Sequence, residues 1–335
     1  MSLRGFLRLF KYIQLLPVLE NGEETTLIGG QAVMEGVMMR TPHNYCVAVR
    51  RANGEIVTEQ SPLPRISDRY KIFRLPVLRG LATLGHAMWL GMKALRFSAN
   101  CAMEDIPKED KPHGKQSKKA KQDGGSWALT ANLVFSLLFG IALYNFVPLY
   151  AAKLLGRASP LFSGNFAMNV IDGSVRIAIF LAFIYLLSRL KDMHRMFQYH
   201  GGEHRVVFNF ESGQPVNVQN AQQFITWHPR CGTSFLMVVL IIALIVFAIL
   251  PVHGFWAKFV WRIALLPLLV GVSYEIIRFA AKRQNALLAV MTQPGLWLQR
   301  ITTQPPSDAQ TAVAIRALEQ AMEMERSHGG KLVIA

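Results

Sequence analysis

Two stretches of this chain contain no Lys, Arg, Asp or Glu: Gly124 to Ala152, with the core LTANLVFSLLFGIALYNFVPLY, and Gly232 to Ala257, centred on SFLMVVLIIALIVFAIL. Each exceeds the roughly 20 apolar residues with which a helix crosses about 30 Å of hydrocarbon. The whole chain of 335 residues is only 17% charged, whereas ordinary soluble domains carry about 25%. The constraint is therefore a membrane. Two shorter uncharged cores, IAIFLAFIYLLS from Ile177 and IALLPLLVGVSY from Ile263, complete about four expected spans, with Arg176 and Arg262 snorkelling at their ends.

Charge sets the expected orientation. With both chain ends and segments 98–126 and 189–231 on the cytoplasmic side, only Lys153, Arg157, Arg176, Lys258 and Arg262 of the 36 Lys and Arg lie outside. Lys108, Lys111, Lys115, Lys118, Lys119 and Lys121 stand just before the first span, as the positive-inside rule requires. The formal charge of +15 then faces anionic lipid headgroups. No nucleic-acid-binding module accompanies it, so nucleic acid is not an expected partner. The three cysteines, Cys46, Cys101 and Cys231, are too few and too scattered for a disulfide framework. Cys46 and Cys101 read as small packed thiols.

The rest of the chain divides by pattern. Residues 1–26 place Arg4, Arg8 and Lys11 opposite Leu3, Phe6, Phe10 and Ile13, a basic amphipathic segment on a membrane surface rather than a signal sequence. Residues 27–73 hold a Gly-rich loop, IGGQAVMEGVMMRTP, and a β-hairpin turning at Asn53-Gly54. The Gly-rich stretch lacks nucleotide-loop spacing and is expected to cover a site, with Glu35 the residue to test. Residues 74–100 form an interfacial or re-entrant helix, because Arg79, His86, Lys93 and Arg96 interrupt it. A Lys-rich loop fills 101–126, the membrane domain spans 127–277, and helices occupy 278–335. Ser307 and Gln310 have the spacing of a capping box ahead of the last helix.

The chemistry concentrates at 189–233, between spans. His200-Gly-Gly-Glu203-His204 has the H-x-x-E-H spacing of an inverted zinc-peptidase motif. On a helix the two imidazoles project from one face and can close on one Zn²⁺, and Glu203 is either the base for metal-bound water or a further ligand. Two glycines inside a helix cost roughly 2 kcal/mol against Ala. The helix therefore begins or bends here, or its backbone comes close to something. His228-Pro229-Arg230-Cys231 supplies a second imidazole and thiol pair just before a span. His200, His204, His228 and Cys231 are the expected metal set, although Cys231 also fits as a packed thiol at a helix start. Arg205 and Arg230 flank the clusters and can hold a phosphate or carboxylate, or snorkel toward lipid phosphate.

IGGQAVMEGVMMR, YHGGEH, HPRCGTSF and PGLWLQRITTQPP, in this order, resemble the YqhQ-like family of bacterial membrane proteins, over about residues 27–320. These are predicted metal-dependent enzymes of unassigned reaction. The resemblance implies that His200, Glu203, His204, His228 and Cys231 occupy the family's motif positions, and that the chain is bacterial and sits in the inner membrane. Gly202 and Arg205 depart mildly from the Ala and Lys expected there.

The expected molecule is thus a mainly α-helical, polytopic membrane protein with a small β-hairpin cap on the cytoplasmic side. Both termini are cytoplasmic. The expected function is hydrolysis with zinc at the cytoplasmic membrane surface, on a lipid-linked, headgroup or peptide substrate, with Glu203 activating water and Arg230 or Arg205 orienting an anion. The alternative is a non-catalytic scaffold or insertion factor with a structural metal and a basic face for a membrane-protein partner or a second copy of the chain.

Overall fold

The computed structural model describes residues 28–63, 70–105, 123–162, 164–228, 231–252, 254–282 and 286–327. The N-terminal amphipathic segment, most of the Lys-rich connection, and Arg230 lie outside the described residues. The chain divides into two units. A sheet unit combines the region before residue 105 with 187–234 and the region after 295; a helical unit combines 106–186 with 235–294.

In the sheet unit the chain makes an antiparallel meander, β1 (Gly29–Val33), β2 (Gly36–Arg40), β3 (Asn44–Arg50) and β4 (Ile56–Pro62), in that order. The expected Gly-rich loop is therefore a hairpin, β1–β2, turned at Met34-Glu35, where Glu35 takes φ 53°. The expected hairpin at Asn53-Gly54 forms as β3–β4, with Gly54 at φ 88°. What makes four strands from these residues is burial of both sheet faces. Alternate side chains Val37, Met39, Cys46 and Ala48 pack on one side. Val33, Met38, Tyr45, Val47 and Val49 pack on the other. A strand buried on both faces reads as a continuous apolar run, which is why GVMMR does not show a strand's alternation.

Helix α1 (Leu78–Glu104) covers the second face through Leu90, Ala94 and Cys101. The first face is covered by α4 (Lys191–Glu211), through Tyr199, Val206 and Val207, and by α8 (Asp308–Ser327), through Val313, Ala314, Ala317, Leu318 and Ala321. The capping box of α8 forms: the Ser307 N–H donates to Gln310 Oε1 at 2.9 Å, and the Gln310 N–H to Ser307 Oγ at 3.3 Å. Cys46 and Cys101 are buried free thiols on opposite sheet faces.

The helical unit contains α2 (Asp123–Ala158), α3 (Asn165–Leu187), most of α5 (Gly232–Ile249), α6 (Phe255–Lys282) and the start of α7 (Ala286–Thr302). Among the described residues, three helices are long and apolar enough to cross a membrane: Asn165–Leu187, Gly232–Ile249 and Trp256–Phe279. The short cores seen at 177–188 and 263–274 are parts of longer helices. The charges that shortened the reading are paired, because Asp172 accepts from both Arg176 and Arg262. The stretch 124–152 is helical within α2.

Helix α8 ties the sheet down through Glu325, which is 2% exposed. Its carboxylate accepts from Thr41 Oγ1 at 2.7 Å, the His43 N–H at 3.2 Å and Asn44 Nδ2 at 3.0 Å, and lies 2.6 Å from His43 Nδ1. Burial alone would raise this carboxyl, but the donors of His43 and Thr41 hold it below the usual range. A carboxyl depressed by folding contributes stability above its unfolded-state pKa and loses it as pH falls through the folded value. Glu325→Ala is expected to cost about 3 kcal/mol at neutral pH. The gap to the unsubstituted protein should close as the medium is acidified below the carboxylate range, as read by hydrogen exchange of the 41–46 amides.

Candidate metal centre

Helix α4 runs unbroken through His200-Gly-Gly-Glu-His, so the glycines neither start nor bend it. Of the expectations for them, close backbone approach is the one met. A Cβ on Gly201 would stand 2.0 Å from the Gln304 carbonyl oxygen. The Gln304 N–H in turn donates to the Phe197 carbonyl at 2.9 Å. Helix α4 thus lies directly on the segment after α7.

That approach aims the imidazoles. His200 Nδ1 lies 2.8 Å from the Thr302 carbonyl, and His204 Nδ1 is hydrogen-bonded to the Thr226 carbonyl. A carbonyl only accepts, so each Nδ1 carries the proton and each Nε2 presents a lone pair. Metal-ligating histidines are oriented in this way by an acceptor behind the ring. The two rings, four residues apart on one helix face, have centroids 4.5 Å apart. Cys231, one residue ahead of α5, brings Sγ to 3.2 Å from His200 Nε2. One ligand atom from each of His200, His204 and Cys231 lies within 4.8 Å of the others.

Electrostatics suit this donor set. Burial lowers the His204 pKa, which favours the neutral imidazole. Burial alone would raise the Cys231 thiol, but His204 and a hydrogen bond with Thr233 pull it below its ordinary value. Neutral imidazoles and a thiolate are the forms that bind Zn²⁺.

Glu203 sits beside the cluster and is pushed up to about 8, mainly by burial. The Gly30 N–H favours its ionised form. Its Oε2 is buried with no hydrogen-bond partner. Strand β1 closes over it: a Cβ on Gly30 would meet Glu203 Cδ at 2.9 Å and the Met38 carbonyl at 2.5 Å. The Gly-rich segment therefore does cover this carboxylate, as a strand. A buried acceptor left without a donor costs about 1–3 kcal/mol, so Glu203 has capacity for a water or metal-bound group. The residues fit a metal on this ground as well as on their donor chemistry.

The remaining sequence-predicted residues surround the His200–His204–Cys231 group without closing on it. His228 is buried and lowered to about 4 by that burial. Its Nε2 is 3.4 Å from Glu211 Oε2, and its ring centroid lies 4.5 Å from that of Phe208 and 5.7 Å from that of His204, tilted to both. It backs the cluster without joining it. Glu35 binds Arg195, whose Nη2 donates at 2.7 Å, and accepts from Tyr199 OH at 3.1 Å. Arg205 donates to Gln222, which reaches Asp308 and Thr311 at 3.1 and 3.0 Å. Both therefore brace α4.

Three positioning residues were not singled out from the sequence. Thr226 and Thr302 act through backbone carbonyls, which no side-chain pattern reveals. Gln299, fully buried, clamps the His228 backbone: its Oε1 accepts from the N–H at 2.7 Å and its Nε2 donates to the carbonyl at 2.8 Å. A glutamine inside the apolar LWLQRI run was the available signal.

The two glycines make a paired prediction. Gly201→Ala must displace the Gln304 backbone and is expected to cost upwards of about 2 kcal/mol and to weaken metal retention. Gly202→Ala meets nothing closer than Pro306 Cβ at 3.5 Å, and should be neutral or stabilising by up to about 1 kcal/mol. Thermal unfolding with metal analysis of both variants checks this.

Comparison with known proteins agrees with the motifs. The family model described as "Protein of unknown function (DUF1385)" matches residues 75–324. The chain is 35% identical over 298 residues to "Uncharacterized protein YqhQ" of Bacillus subtilis (strain 168), covering 89% of this chain and 92% of that one. No solved structure matches. The chain that builds this His–His–Cys cluster belongs to the YqhQ-like DUF1385 family.

Proposed function

We propose that this protein is a zinc-dependent hydrolase held in a bacterial inner membrane, with its site at the cytoplasmic surface. The observation that carries the reading is the unpartnered, buried Glu203 Oε2 beside three convergent ligands, His200, His204 and Cys231. Three protein ligands leave a coordination position open, as catalytic zinc sites do, whereas structural sites close with four. A Zn²⁺ bound there would supply an acidified water and polarise a carbonyl or phosphoryl oxygen. His200 and His204 hold fixed tautomers through the Thr302 and Thr226 carbonyls. In its ionised form Glu203 takes a proton from water on Oε2 and returns it to the leaving group. Strand β1 at Gly30 keeps bulk water from the carboxylate.

Placement in the membrane is part of the proposal. The three apolar helices, with α2 as a fourth span, are the membrane domain, and both termini are cytoplasmic. Helix α1 turns Met88, Trp89 and Met92 outward, 54–69% exposed, a face suited to the headgroup layer. A substrate that carries a lipid, a headgroup or a membrane-derived peptide fits a site so placed.

The test is zinc content and turnover of the purified chain. Near-stoichiometric zinc is expected in the unsubstituted protein and in His228→Ala, and loss in His204→Ala and Cys231→Ala. Glu203→Gln should keep zinc and lose hydrolysis of any accepted ester, amide or phosphoester by about 100-fold or more. Zinc retained in both ligand variants, or full turnover in Glu203→Gln, would sink the proposal. Zinc in the unsubstituted protein that also needs His228 would make the site a closed, structural one.

A further inference from the structure

The helical unit contains a second polar cluster, independent of the metal centre. Asp172 on α3 is almost fully buried, its side chain 4% exposed. Arg176 on the same helix donates to it from Nε at 3.2 Å and Nη2 at 3.4 Å, and Arg262 on α6 donates through Nη2. Lys258, one turn before Arg262, gives Nζ to Asn169 Oδ1 at 2.6 Å. Among the described residues, three cations thus gather around one carboxylate and one neutral amide.

Their surroundings are apolar. The Arg176 guanidinium lies over the Tyr144 ring at 5.2 Å, and that of Arg262 over Phe247 at 5.7 Å. Asn169, Lys258 and Arg262 line a cavity with Phe247, Leu250 and Val252. These residues come from the starts of α3 and α6, the end of α5 and the turn after it. The cavity encloses about 10 Å³, room for about one water.

Asp172 already has both oxygens engaged, and it can neutralise only one of the three cations. Asn169 removes no charge from Lys258. Charge among apolar helices is expensive and marks a ligand site where it exceeds its internal partners. A guanidinium and an ammonium side by side are the groups that take a phosphate oxygen pair.

We propose that Lys258 and Arg262 form a binding site for a phosphate group, with Asn169 orienting the ammonium and Asp172 and Arg176 orienting the guanidinium. The group belongs either to an anionic lipid headgroup or to a free phosphate. The lipid source rests on the membrane placement proposed above, and neither source rests on zinc.

The test uses the full chain in neutral detergent, with phosphatidylglycerol, diacylglycerol and inorganic phosphate as probes, read by native mass spectrometry and calorimetry. The unsubstituted protein is expected to retain about one phosphatidylglycerol but not diacylglycerol, and Lys258→Met and Arg262→Gln to weaken retention about tenfold each. Lys258→Arg, which keeps the charge, should bind within a few-fold and shows whether loss in Lys258→Met reflects charge or folding. Displacement of the lipid by millimolar inorganic phosphate identifies free phosphate as a ligand; retention against it identifies the headgroup. Equal retention in all variants, equal binding of diacylglycerol, or loss in Lys258→Arg as deep as in Lys258→Met would overturn the site. Zinc content should be the same throughout, so failure here is separate from failure of the hydrolase reading.

Discussion

The close approach of α4 to the backbone after α7 is the constraint on which the candidate centre depends. Gly201 lets the Gln304 carbonyl reach the helix, and that contact brings the Thr302 carbonyl to His200 Nδ1. The opposite side of α4 is fixed in the same way, since Gly30 lets strand β1 reach Glu203. Between the two approaches, an imidazole and a carboxylate three residues apart are held by main chain rather than by flexible side chains. A site positioned by backbone is more exact than one positioned by loops.

The sheet gives that backbone its rigidity. Both of its faces are covered, by α1 on one side and by α4 and α8 on the other. Glu325 locks the β2–β3 turn to α8 with several hydrogen bonds, and Glu35 locks the β1–β2 turn to Arg195 and Tyr199 of α4. Each turn of the meander that faces a helix is thus tied by a carboxylate. The chain carries few acidic residues, 21 against 36 basic ones, and the buried Glu325 and the half-buried Glu35 serve as such ties.

Much of this was legible in the residues. Uncharged runs announce membrane-length helices, Asn53-Gly54 announces a hairpin, and Ser307 and Gln310 announce a helix start; of the residues His200, His204, His228 and Cys231 marked by spacing, His200, His204 and Cys231 come together in the fold. What escaped reading has specific causes. The segment IGGQAVMEGVMMR looks like a loop because β1 begins with two glycines and β2 is buried on both faces, so neither shows alternation. His228 stands three residues from Cys231 in the sequence; in the fold Gln299 grips its backbone and its Nε2 lies 3.4 Å from Glu211 Oε2, contacts that sequence spacing does not reveal. Thr226 and Thr302 orient the imidazoles through carbonyls that any residue would carry. Asp172, Arg176 and Arg262 read as span ends, because their pairing joins positions about 90 residues apart.

Zinc-edge X-ray absorption of the purified, zinc-loaded full chain addresses the central claim most directly. The account predicts a four-coordinate shell of two imidazole nitrogens at about 2.0–2.1 Å, one sulfur at about 2.3 Å and one further light atom from solvent. A shell without sulfur, or one with a third imidazole in place of the solvent atom, would contradict it.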